Sequence, residues 1–339
     1  MNSSDYAYLS NYGVYTAMVL FAVAFLAHAI DVAFSVRNLE EKTQLDFTRT
    51  KRIGDLGTVM IVIAFVALFV AVIFRGISAQ RVPWGNMYEF SITGALAFTG
   101  AYIYVLWKYK IKWLGLPVAI AVLLTLGTAI SILYVPSAPL VPALKSAWLV
   151  IHVSTAIISG GVFLLANCIA AAYLVLDRYE SRGARPVWAL RLPTLETLDQ
   201  LSYRLVAFVF PLWTFSVIAG AIWAEAAWGR YWGWDPKETW ALVSVLVYSV
   251  ILHFRMIPGL QGRFLFNALA FWGYSAILFT FFGVNFMLVG LHSYAQGEGL
   301  GQFPTWLIYM IIIFALLTTV AALRNRRIER LQKEALLNS

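Results

Sequence analysis

The chain has 339 residues, of which 61% are hydrophobic, 16% aromatic and only 12% charged, whereas roughly 25% are charged in soluble globular domains. At this length so much apolar surface cannot be hidden from water, which excludes an ordinary soluble enzyme and makes the bilayer the solvent. A net charge of +8 does not indicate nucleic acid either, because the 25 Lys and Arg residues sit in short spacers between apolar runs rather than on one soluble face.

A membrane span needs about 20 mostly apolar residues to cross a hydrocarbon core of roughly 30 Å. Nine stretches qualify: Gly13 to Phe34, Gly57 to Arg75, Phe90 to Trp107, Trp113 to Tyr134, Trp148 to Leu176, Leu205 to Ala224, Trp240 to Met256, Phe266 to Phe286 and Pro304 to Leu323. The first follows a polar start with no basic n-region or small-residue cleavage site, and reads as a retained helix. The fold class is therefore all-α, a polytopic membrane helix bundle of about nine spans. With the N-terminus outside, 20 of the 25 Lys and Arg residues fall on the inner side and 5 on the outer, so the positive-inside rule predicts an N-out, C-in topology. This divides the chain into four N-terminal helices with external loops (1–147), a functional core (148–295), and a last helix with a basic tail (296–339). The tracts Ile77 to Glu89 and Val135 to Ala147 carry no motif. The single cysteine, Cys168, lies in an apolar run, so no disulfide framework, CxxC pair or thiolate metal site is expected.

Between helices six and seven, residues 223–240 read WAEAAWGRYWGWDPKETW, which places five of the 13 tryptophans and Tyr231 in 18 residues. An interfacial belt accounts for a ring or two at a helix end. Here Trp223, Trp228, Trp232 and Trp234 lie among Glu225, Arg230, Asp235, Lys237 and Glu238, with Gly229 and Gly233 allowing close approach. Aromatic faces beside charges suit a large, flat, partly apolar ligand with anionic substituents, and porphyrin fits that description. In Asp235-Pro236-Lys237-Glu238 an acid, a proline and a second acid three residues on predict a helix start with a capping box. Such an end also presents N–H groups to propionates, and Arg230 and Lys237 add positive charge.

The four histidines fall at two depths. His152, near the outer end of helix five, and His292, after helix eight, share the side of the tryptophan segment and are candidate axial ligands of one haem iron. A helix-end hydrogen bonder is the simpler alternative for either. His253 lies 13 residues beyond Trp240 and His28 lies 15 beyond Gly13, depths of roughly 20 Å at ideal helical rise. They suggest a second, embedded station, although Asp31 offers His28 a purely structural partner. A proton relay would also use buried ionisable groups, but it has no need of clustered tryptophans.

The stretches LDQLSYRLVAFVFPLW (Leu198 to Trp213), GAIWAEAAWGRYWGWDPKETWALV (Gly220 to Val243), LHFR (Leu252 to Arg255) and GVNFMLVGLHSYA (Gly283 to Ala295) closely resemble the CcsA (ResC) family, the haem-handling membrane subunits of System II cytochrome c biogenesis. The resemblance covers roughly Trp148 to Ala295. CcmC and CcmF share the tryptophan-rich signature with a less compatible size. The resemblance implies that His152 and His292 are external haem ligands flanking the WWD segment and that His253 is an embedded ligand, its opposite ligand coming from the partner subunit CcsB (ResB). It implies haem b as substrate and transient ligand. The implied activity is that of a haem lyase, exercised only with CcsB, joining the haem vinyl groups to the CxxCH thiols of apocytochrome c. Thiol-reducing proteins are further implied partners. The implied location is a bacterial plasma membrane, or alternatively a thylakoid membrane, with the WWD segment extracytoplasmic. A haem exporter without lyase activity, and a haem-free transporter or scaffold, are the competing readings.

Overall fold

The computed structural model describes residues 2–41, 47–138, 146–183, 185–291 and 320. His292 lies outside them, as does the ninth expected span apart from residue 320. Among the described residues all regular structure is helical: α1 (Ser3–Glu41), α2 (Phe47–Ala79), α3 (Met87–Tyr109), α4 (Gly115–Ser131), α5 (Ala147–Glu180), α6 (Leu195–Trp228), α7 (Pro236–Phe254) and α8 (Arg263–Leu278). Short 3-10 turns precede α4 (Lys112–Leu114) and α6 (Val187–Arg191), and α8 runs on through a π turn, Phe279–Gly283, into Val284–Met287. Each of the eight contains or forms part of a segment long and apolar enough to cross a membrane, so the first eight expected spans are all present. Several helices extend beyond the apolar runs. α6 begins ten residues before Leu205, because Leu198, Leu201 and Ser202 continue its buried stripe into the polar flank.

The chain folds as two compact units. The first comprises Met1–Leu165, Ala184–Pro193 and Phe215–Tyr231, and the second Ala166–Gly183, Thr194–Thr214 and Trp232–Ser339, so α5 and α6 each contribute to both.

In the first unit α1 and α2 form an antiparallel pair, with Gly13 opposite Ala71 and Asp31 opposite Gly54. Their contact is lined by small residues, Ala17, Ala24 and Ala27 against Ala64 and Ala71, all buried. Lipid is as apolar as leucine, so helices in a bilayer gain from close van der Waals contact, and small residues permit it. The outer stripe of α2, Val59, Ile63, Val66 and Ile73, is exposed and apolar as a lipid-facing surface must be.

The tract Ile77 to Glu89, featureless in the sequence, leads into a buried ionic cluster. Glu89 accepts from Arg75 Nε (3.0 Å), Arg81 Nη1 (2.6 Å) and the Gly85 backbone (2.8 Å), and Arg75 Nη2 donates to the Val135 carbonyl (2.6 Å). Arg75 and Glu89 are both fully buried. A lone buried charge would be prohibitive, whereas a carboxylate shared by two guanidiniums is tolerated. The cluster pins the end of α2 to the start of α3 and to the segment after α4.

A second network orders the other unit. Asp199 of α6 is buried and receives both arms of Arg255, with Nη1 at 3.0 Å, as well as Asn267 Nδ2 at 2.8 Å. The Arg255 guanidinium lies near the rings of Tyr203 (5.4 Å) and Phe266 (5.2 Å), which adds cation–π attraction to the bidentate pair.

Candidate functional site

His152 projects from the first turns of α5, and one face of α6 sets its ring. Its Nδ1 lies 2.7 Å from the Ser216 carbonyl oxygen. A carbonyl only accepts, so Nδ1 carries the proton and the neutral ring holds its lone pair on Nε2. Trp223 stacks on the imidazole with centroids 6.2 Å apart and planes 7° from parallel. Between them in sequence, Gly220 supplies the room: a Cβ there would stand 2.8 Å from both Cε1 and Nδ1. Ser216, Gly220 and Trp223 recur at the helical i, i+4, i+7 spacing, so one stripe of α6 provides hydrogen-bond acceptor, gap and aromatic face. The Ser216 hydroxyl also donates to the His152 carbonyl at 3.0 Å. Trp223 is buried and meets Trp228 edge-on at 4.8 Å. α6 then ends where the left-handed Gly229 (φ 70°) donates to the Glu225 carbonyl at 2.8 Å, a glycine C-terminal stop. Arg230, half-buried, and Tyr231, 60% exposed, complete this unit's share of the segment.

The second unit takes over at Trp232. Trp232 and Trp234 meet edge-to-face, 5.8 Å apart at 90°. Trp234 is 69% exposed and sits at φ 59°. That left-handed conformation costs a bulky residue about 1–3 kcal/mol, so its surroundings must enforce it. They do so through Glu238, whose Oε2 accepts from the backbone N–H groups of Gly233 (2.8 Å) and Asp235 (3.2 Å), on either side of Trp234. The Trp234 carbonyl is in turn held by the Thr239 hydroxyl at 3.3 Å.

The helix start expected at Asp235 is present in full. Asp235 is the N-cap of α7, Pro236 is the first helical residue, and Asp235 and Glu238 form a capping box. Asp235 Oδ2 accepts from the Lys237 backbone (3.2 Å), and Oδ1 reaches across to accept from the Leu291 backbone N–H at 2.7 Å. Lys237 is half-buried at this corner. Below it, the buried Trp240 packs on Phe279, centroids 4.3 Å apart.

The remaining histidines differ. His253, next to last in α7, is exposed on the described chain. His28 is only 3% exposed and lies among α1, Gly57 of α2 and Gly115 at the start of α4. The structure thus brings His152 together with Trp223 and Trp228, and Trp232 with Trp234, Asp235 and Glu238. Sequence reasoning missed Ser216, Gly220 and the second role of Glu238. The only available signal was a glycine four residues after a serine in an apolar helix.

The family model described as "Cytochrome C assembly protein" matches residues 84–292. The cytochrome c biogenesis protein CcsA of Trieres chinensis is 33% identical over 278 residues, covering 73% of this chain and 89% of that protein. That of Guillardia theta is 34% identical over 272 residues, with 74% and 89% covered. That of Picosynechococcus sp. is 33% identical over 313 residues, with 73% and 90% covered. Among solved structures, the cytochrome c haem lyase CcmF superposes with a TM-score of 0.59 at 14% identity, a likeness of fold that covers 96% of this chain and 52% of that one, so the chain spans about half that protein's length. With eight apolar helices and these relatives, the chain is an integral membrane protein of cytochrome c maturation and belongs to the CcsA family.

Proposed function

We propose that this protein takes haem b as its substrate and presents it, with the partner subunit CcsB (ResB), for attachment to the CxxCH motif of apocytochrome c. The observation that carries the reading is the setting of His152. Its Nδ1–H is committed to the Ser216 carbonyl, its ring lies parallel to Trp223, and Gly220 makes the space. A backbone acceptor on one ring nitrogen commonly accompanies a metal-bound imidazole, since it fixes tautomer and orientation and raises basicity at the other nitrogen. In this reading His152 and His292 would hold the haem iron, as the family resemblance implies. His253 serves an embedded site whose second ligand comes from CcsB. The charge count supports an N-out, C-in chain with the tryptophan segment on the outer side of its membrane.

In the overall reaction each thiol adds across a vinyl group: the S–H bond and the vinyl π bond break, a C–S bond forms to one vinyl carbon and a C–H bond to the other, and there is no net oxidation or reduction. No residue of the segment needs to act as acid or base. Trp223, Trp228, Trp232, Trp234 and Tyr231 supply apolar faces, Arg230 and Lys237 offset propionate charge, and Asp235 and Glu238 hold the backbone that displays Trp234. Holding both reactants in near-attack geometry is worth about 7–11 kcal/mol of a barrier, so positioning is the catalytic contribution.

The test is co-expression of the full chain with CcsB and a CxxCH apocytochrome c. The expected result is a Soret-absorbing complex and covalently haem-bearing cytochrome. Haem in the complex with no thioether product would make the protein an exporter. A colourless complex would remove haem from the account altogether.

A further inference from the structure

Asp199 does more than the end of α7 requires. It is 1% exposed on α6 and takes both Nη groups of Arg255, the residue that closes α7, while Asn267 Nδ2 of α8 adds a third bond at 2.8 Å. A cation at a helix C-terminus is already favourable in solvent. Burying the pair adds a desolvation cost that well-packed apolar side chains would avoid, so stability is a poor reason to keep it and a fixed register is a better one. The rings of Tyr203 on α6 and Phe266 on α8 close on the guanidinium, so Arg255 is held toward the interior by two neighbouring helices.

The held residue stands two positions after His253. Two residues turn a helix by about 200°, so an Arg255 drawn inward sends His253 outward. Arg255 keeps helical angles (φ −64°, ψ −20°), and its N–H and that of Met256 both reach the His253 carbonyl, which makes the histidine's backbone part of the anchored turn. The outcome is seen in exposure: His253 is exposed and continues the outward stripe of Leu246 and Val250 at the spacing i, i+4, i+7. An imidazole at the end of an apolar stripe on a helix able to span a membrane is costly unless it serves a function.

We propose that Asp199 is a positioning residue for His253: by fixing Arg255 it sets the direction in which the imidazole leaves α7. The inference rests on the reading of His253 as an iron ligand at the embedded site. It makes the two-pronged pair, rather than charge alone, the reason for these residues. Asparagine at 199 offers one acceptor oxygen in place of two, and lysine at 255 offers a point charge in place of a planar fork.

The experiment uses the full chain co-purified with CcsB as D199N, R255K, H253A and the double variant D199N/H253A. Haem content and visible absorption bands are recorded with and without imidazole, with circular dichroism as the folding check. The expected result is that D199N and R255K keep the parental helix content, lose part of the bound haem, shift the visible bands in the same direction as H253A and recover the parental spectrum with imidazole. D199N should change nothing further once His253 is replaced, because a residue acting through the histidine has no separate route to the haem. Parental haem content and bands in D199N and R255K beside an altered H253A, or a D199N effect of full size in the H253A background, would overturn the positioning role while leaving the ligand standing. An unaltered H253A would overturn the ligand reading and this inference with it. If D199N does not fold, R255K decides, alone and combined with H253A.

Discussion

Two histidines of the first unit are each accommodated by glycine, with different results. His28 is wedged against Gly57 and Gly115. A Cβ on Gly57 would stand 3.0 Å from its Nε2, and one on Gly115 would overlap that atom. His28 is 3% exposed, and its Nε2 has no hydrogen-bond partner among the described residues. One turn on, Asp31 is occupied by Arg191, which reaches its carboxylate at 2.7 Å and its carbonyl at 3.1 Å. His152 is half-buried, faces a single glycine, lays its ring along an indole and gives its Nδ1 proton to a carbonyl. The difference lies in whether one nitrogen is committed to a fixed acceptor while the ring edge stays approachable.

Substitutions that exchange these conditions sharpen the contrast. The largest effect is expected for His28→Ala, which empties a buried ring site and should lower stability by about 2–4 kcal/mol. Thermal unfolding in detergent measures this, and haem bound per folded molecule should not change. Gly115→Ala follows, since overpacking against the same ring should remove about 1–3 kcal/mol, again without touching haem retention. Gly220→Ala should invert the pattern. The half-exposed His152 ring can swing from the new methyl, so the unfolding midpoint holds while haemin affinity falls about tenfold. A haem-neutral Gly220→Ala would break the comparison. Ser216→Ala should do least, because it deletes the hydroxyl and keeps the carbonyl that orients His152. About 0.5–1.5 kcal/mol of stability, with an unaltered haem spectrum, is the expected reading.

The sequence exposes what composition and local spacing control. Eight spans are legible because each must supply a long apolar run, and the start of α7 is legible because acid, proline and acid at fixed spacing write a capping box into four residues. What escapes detection is whatever depends on backbone atoms or distant pairing. The Ser216 carbonyl and the Leu291 amide have no side-chain signature. Arg75, Arg81 and Glu89 look like ordinary flanking charges until α2 and α3 bring them together. The order of the tryptophans along the chain does not show which rings meet; the structure pairs Trp223 with Trp228 and Trp232 with Trp234, edge-on in both cases. Nothing in the composition marks Trp234 as the residue in a left-handed conformation; that follows from Glu238 gripping the amides on both sides of it.

The decisive measurement is the absorption spectrum and haem content of the purified full-length protein and its His152→Gly variant, with and without imidazole. Loss of bound haem in the variant, with the parental spectrum restored by imidazole, is the expected result. Equal haem content and identical bands in both proteins without imidazole would contradict the assignment of His152 as an iron ligand.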